Sequence, residues 1–150
     1  MGVVGGLVRA QRVPLIGRLA SFALGLYGVE IPREVHVAAS VRFAHKAFGT
    51  VVHPQTRIGE NVTIYHRVTI ARSNSWVPDP ASRSAVVDVR QHAVLCPGSV
   101  VLFRHEDIVV GEGTVLGANS VLTCSTGDWE IWAGSPARRV GERLDRPLER

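Results

Sequence analysis

Six histidines, at positions 36, 45, 53, 66, 92 and 105, are the side chains of this 150-residue chain best able to exchange a proton near neutral pH. Two of them fall in one short segment, FAHKAFGTVVHP (43–54), which sets His45 and His53 eight positions apart among valines and small residues. His66 follows His45 by twenty-one. A neutral imidazole can take a proton from a hydroxyl or amine as that group attacks a carbonyl. A carboxylate on the second ring nitrogen would fix the tautomer and stabilise the imidazolium.

The elements that position these groups are written in a repeat. Apolar residues stand at Val37 and Phe43, then at Val52, Ile58, Ile64 and Ile70, then at Val89, Leu95 and Val101, then at Val110, Leu116 and Leu122. Within each block the step is six. Four residues after most of these leads comes a second small or β-branched residue: Thr56, Val62, Val68, Ala93, Ser99, Thr114, Ser120. The hexads IGENVT, IYHRVT, VRQHAV, LCPGSV, VGEGTV and LGANSV show the pattern, with glycine or another small residue often just after the lead. A period of six fits neither an amphipathic helix nor a simple alternating strand. It is the signature of hexapeptide coils. The chain is therefore predicted to be an all-β solenoid. Each hexad forms one strand and turn, three hexads make a triangular coil, and the leads stack inward from coil to coil.

The repeat breaks three times. The step is nine from Phe43 to Val52, nineteen from Ile70 to Val89, and nine from Val101 to Val110. The first break carries His45. The second is the loop 71–86, whose ARSNSWVPDPASRSA cannot continue the coil and is expected to project and cover something, such as a neighbouring subunit. One coil is eighteen residues and the first break adds three, so His66 is expected one coil above His45 on the same edge. It is there either as a contact for an acceptor or as an ordinary outward polar residue. His53 falls at a turn, and His92 and His105 are expected at the surface.

Composition excludes several classes. At 45% hydrophobic and 20% charged, the chain is globular. Its net charge is +4, carried almost wholly by scattered arginines, with Lys46 the one lysine. No basic run alternates with aromatics, which argues against nucleic acid. The basic balance suits an anionic cofactor. Cys96 and Cys124 form no metal or redox motif and suit a reducing cytoplasm. Residues 1–28 are apolar and helix-like after Pro14, but Arg18 keeps any run short of the roughly 20 residues a membrane span needs. A helix packed on the rest of the protein is the expectation, and contact with a membrane surface is the second reading. The predicted organisation is a helical segment 1–28, a β-helix 29–141 and a tail 142–150.

The run VEIPREVHVAASVRFAHKAFGTVVHPQTRIGENVTIYHRVTI (29–70) and the ending WAGSPARRVG (132–141) resemble the serine acetyltransferase branch of the hexapeptide-repeat acyltransferases. The short N-terminal segment is similar to reduced forms associated with sugar and polysaccharide pathways. The resemblance implies a left-handed parallel β-helix, a homotrimer with active sites between subunits, and acetyl-CoA as donor. It implies that His45 is the general base and that Glu30, fifteen residues earlier, is the carboxylate that orients it. It also implies a donor groove walled by Ala71, Pro97 and Ala118, expected at the turns after Ile70, Leu95 and Leu116, with Arg72 and Ser73 beside it. Arg138 and Arg139 are expected to meet phosphates.

The departures are specific. Ala44 stands where the family has an Asp before the histidine, and Ala85 and Val86 stand where it has an Arg-His pair that grips the amino acid. The expected acceptor is therefore a sugar or related hydroxylated or amino metabolite. Serine acetylation proper is the alternative, and a non-catalytic trimeric scaffold is a third reading. The β-helical carbonic anhydrases share the predicted fold but hold zinc through a histidine pair five residues apart. No two histidines here have that spacing, so no metal is expected.

Overall fold

The six-residue rhythm becomes a three-way rotation of strands. In the computed structural model, which describes residues 2–76 and 85–145, two helices come first, α1 (Val3–Ala10) and α2 (Gly17–Leu26). Strands β1 (His36–Val37), β2 (Arg42–Phe43) and β3 (Val51–Val52) open the first coil. β4 (Thr56–Ile58), β5 (Thr63–Ile64) and β6 (Thr69–Arg72) form the second. β7 (Val87–Val89), β8 (Val94–Leu95) and β9 (Val100–Phe103) form the third. β10 (Ile108–Val110), β11 (Val115–Leu116) and β12 (Val121–Leu122) form the fourth. Every third strand pairs in parallel: β1-β4-β7-β10 on one face, β2-β5-β8-β11 on a second, β3-β6-β9-β12 on a third.

Register follows the leads. Phe43 pairs with Ile64, Ile64 with Leu95, and Leu95 with Leu116 on the second face. Val52, Ile70, Val101 and Leu122 do the same on the third. From Val52 onward every lead is at most 1% exposed, and the second set, Thr56 to Ser120, at most 2%. Val37 and Phe43 are partly buried against the same core. Truncating a central lead such as Leu95 to Ala is expected to cost about 2–5 kcal/mol.

The corners explain the period. Six corners turn from one face to the next through a left-handed residue three positions after the lead. Asn61, Arg67, His92 and Asn119 have φ of 57°, 59°, 59° and 55° there, and Gly98 and Gly113 have 69° and 63°. The glycine just after a lead serves a different need, close approach between coils. A Cβ on Gly59 would lie 2.9 Å from the Gln91 amide nitrogen, and one on Gly111 2.1 Å from the Gly127 carbonyl oxygen.

Both ends of the coil depart from the sequence expectation. Before Pro14 the chain already forms α1, whose Val4 and Val8 join Leu24 of α2 in the core that covers the first coil. Arg9 and Arg12 tie this pair down through the Ala39 and Val35 carbonyls, at 3.1 and 2.7 Å. At the other end the coil does not run on to 141. β13 (Glu130–Gly134) adds a last parallel rung beside β11, and β14 (Ala137–Glu142) turns back antiparallel to it. Arg143 anchors the hairpin by donating to the His92 and Gly113 carbonyls. Of the expected loop 71–86, Ala71 and Arg72 are still strand and pair with Leu102 and Phe103, while 77–84 lie outside the described residues. Residues 146–150 of the expected tail also lie outside them.

Candidate active site

The first repeat break is a distorted corner. Lys46 occupies the ordinary left-handed position three after Phe43, with φ 57°, but His45 and Ala47 flank it at 50° and 46°. Three consecutive non-glycine residues in this region are strained, on the order of 1–3 kcal/mol each. The added turn, Ala44–Ala47, throws the His45 side chain out of the coil and into solvent while Ala47 plugs the core.

His45 lands on the coil above. Its ring meets that of His66 edge to face, with centroids 5.4 Å apart, and tilts over Tyr65 at 5.8 Å. The Nδ1 of His66 is buried and has no hydrogen-bond partner among the described residues. The register extends this edge: two residues beyond the leads Phe43, Ile64, Leu95 and Leu116 stand His45, His66, Pro97 and Ala118. Backbone bonds link them vertically, Gly98 N–H to the His66 carbonyl at 3.1 Å and Asn119 N–H to the Pro97 carbonyl at 3.0 Å. Small groups above two imidazoles leave an open edge. Beside it Cys96, which follows Tyr65 in register, has its thiol pushed up by burial and kept protonated, so it is no thiolate nucleophile.

The other candidate residues are dispersed. Glu30 bridges to Val51 in parallel, donating to the Thr50 carbonyl and accepting from Val52 N–H. That ladder turns its carboxylate outward from the coil, and among the described residues it makes no hydrogen bond or ion pair, with His45 or otherwise. Ala71 and Arg72 are not at a turn. β6 keeps pairing past Ile70, which puts Ala71, Arg72 and Ser73 at the end of the third face, away from the edge of Pro97 and Ala118. Arg139 is held by Glu130 at 2.9 Å and by Glu142, so its charge is already matched. Arg138, one residue before, is exposed and donates to the Ala137 carbonyl.

Tyr65 is the site residue the repeat did not single out; only its place between the lead Ile64 and His66 marks it. His53 packs edge to face on Phe103 and accepts from Gln55 N–H through Nδ1. Among the described residues no three His, Cys, Asp or Glu side chains are grouped as a metal site would require.

No family model matches the chain. A Schizosaccharomyces pombe protein provisionally named a serine acetyltransferase is 36% identical over 118 residues, 77% of this chain and 39% of its own length. The Bacillus subtilis serine acetyltransferase is 28% identical over 140 residues, 89% and 58%. An Escherichia coli dTDP-4-amino-4,6-dideoxy-D-glucose acyltransferase is 26% identical over 140 residues, 85% and 68%. The chain thus spans about half the length of the serine acetyltransferases it matches. Among solved structures, the soybean serine acetyltransferase apoenzyme superposes with a TM-score of 0.69 at 28% identity, covering 92% of this chain and 53% of that one. The Brucella abortus serine acetyltransferase in complex with coenzyme A shares the fold at 24% identity, TM-score 0.71, over 93% and 52%. In sequence and in fold the chain is thus similar to serine acetyltransferases and, in sequence, also to a sugar acyltransferase.

Proposed function

We propose that this chain catalyses acetyl transfer from acetyl-CoA to a small hydroxylated or amino acceptor, with His45 as general base. The observation that carries the reading is the exposed His45 imidazole, held out on a strained corner against His66. The acceptor's O–H or N–H would give its proton to the imidazole as it attacks the thioester carbonyl. Collapse of the tetrahedral intermediate would expel the CoA thiolate, which takes that proton back. His66 would contact the acceptor, and Glu30 would serve the His45 ring once a substrate or a second subunit closes the site.

The coil is proposed to be a left-handed β-helix and the protein a homotrimer. A trimer would set the edge of Pro97 and Ala118 in one subunit beside another subunit's face, which could unite the two dispersed sets of groove residues. The donor is inferred from the acetyltransferase names of the relatives. For the acceptor, those names favour L-serine. A sugar acceptor is favoured instead by the apolar Ala44 and by Ala85, which is buried and offers no group to a ligand's carboxylate; one relative is named for an amino sugar. The test is acetyl-CoA consumption with L-serine, amino sugars and sugars, alongside the protein's mass in solution. Turnover of L-serine well above all sugars settles the acceptor as serine. No turnover with any acceptor, and no thermal shift with millimolar coenzyme A, would end the acyltransferase reading.

A further inference from the structure

The helix α2 is apolar on opposite sides. Gly17, Ala20 and Leu24 face the protein and are buried. Leu19, Phe22 and Leu26, at i, i+3 and i+7, form a ridge directly opposite and are 69%, 65% and 72% exposed. Leu15, just before the helix, extends the ridge at 95%. An exposed apolar ridge of this size marks an interaction surface, and the capping element of a solenoid normally shows solvent a polar outer face. This cap does the reverse.

The surrounding charge indicates what covers it. The first twenty-nine residues hold three arginines and no Asp or Glu. Arg18 flanks the ridge and makes no hydrogen bond or ion pair among the described residues. Two copies meeting through this ridge would bring like charges along its rim. An anionic surface would be attracted to the same rim. At ten residues α2 is far too short to span a bilayer, and among the described residues no helix is long and apolar enough to do so. Large apolar side chains on one ridge with arginine beside it are what an interfacial helix presents to lipid.

We propose that the outer ridge of α2 docks the protein onto an anionic membrane surface, Leu15, Leu19, Phe22 and Leu26 entering the headgroup–acyl boundary and Arg18 meeting lipid phosphates. This does not rest on the acetyl-transfer reading. The test is co-sedimentation of the full chain with vesicles of phosphatidylcholine, with and without phosphatidylglycerol. Binding is expected to the anionic vesicles and to weaken as salt rises. Leu19→Ser/Phe22→Ser/Leu26→Ser is expected to lower partitioning at least about tenfold with circular dichroism and oligomer mass unchanged. Arg18→Gln is expected to lower it about fivefold. No binding at millimolar anionic lipid, or binding indifferent to the triple substitution, overturns the proposal. So does a triple variant whose oligomer mass falls, because the ridge is then a contact between copies. If the triple variant does not fold, wild-type binding insensitive to salt and to Arg18→Gln overturns it as well.

Discussion

The imidazoles of His45 and His66 meet edge to face at 5.4 Å although twenty-one residues separate them. The three residues beyond one coil are taken up in the first break, where His45 and Ala47 flank Lys46 in the left-handed region. Substituting His45 tests its proposed role as general base directly. His45→Ala is expected to lower kcat by roughly 10²–10⁴ and leave coenzyme A affinity nearly unchanged. Glu30→Gln is expected to cost less than His45→Ala, since it removes an orienting charge and leaves the base. Steady-state kinetics on folded variants checks this; a His45→Ala protein with near wild-type kcat would move the base role elsewhere.

His66 offers a separate prediction. Its buried Nδ1 has no partner among the described residues, and such a group weakens the fold rather than supporting it. His66→Phe keeps a flat ring against His45 and removes the unsatisfied group. Stability is expected to hold or rise by about 1 kcal/mol. The acceptor KM is expected to rise about tenfold while kcat changes less. A clear loss of stability with unchanged KM would make His66 a packing residue only.

The sequence carried the coil because a period of six is imposed by geometry that admits few residues. Lead positions must be apolar to stack, and six of the corners take a left-handed residue. Small residues after the lead, such as Gly59, mark close coils, while the left-handed demand falls two residues later on Asn61, Arg67 or His92, whose types give weak warning. The two ends were harder to read for another reason. Helix α1 contains adjacent glycines, Gly5 and Gly6, and is stabilised by burying Val4 and Val8 rather than by helix propensity. In the hairpin of β13 and β14, Glu130 and Arg139 meet across the strands, a pairing that no hexad pattern marks. In the site, the His45–His66 spacing could be counted, whereas the outward turn of Glu30 is set by a single bridge to Val51 that no local pattern announces.

The corner rule can be tested where no chemistry is involved. Gly113 has φ 63°, and a Cβ there would lie 2.3 Å from the Trp129 ring. Gly113→Ala therefore meets both backbone strain and a rigid neighbour. It is expected to destabilise by about 1–3 kcal/mol or more. Asn119→Gly, at the equivalent place on the next corner with φ 55°, is expected to change stability by less than about 1 kcal/mol. Denaturant unfolding of both variants is the measurement, and equal effects would undo the rule.

His53 predicts a pH dependence of stability. Burial, and then the positive charge of Arg72, hold its pKa below the ordinary 6.5. Its Nδ1 accepts from Gln55 N–H and its ring packs on Phe103, so the folded protein favours the neutral form. The unfolded chain binds the proton more readily than the folded one. The contribution is therefore fully present above the unfolded value near 6.5 and is lost as pH falls from there through the lower folded value. His53→Asn keeps an oxygen that can accept from Gln55 N–H and removes the titrating group. Its loss of ring packing lowers stability by an amount independent of pH. Between about pH 7.5 and pH 5, the variant's melting temperature is thus expected to fall less steeply than that of the wild type. Thermal melts across that range decide the matter: two parallel curves would mean that His53 titrates alike in both states and that its burial carries no electrostatic consequence.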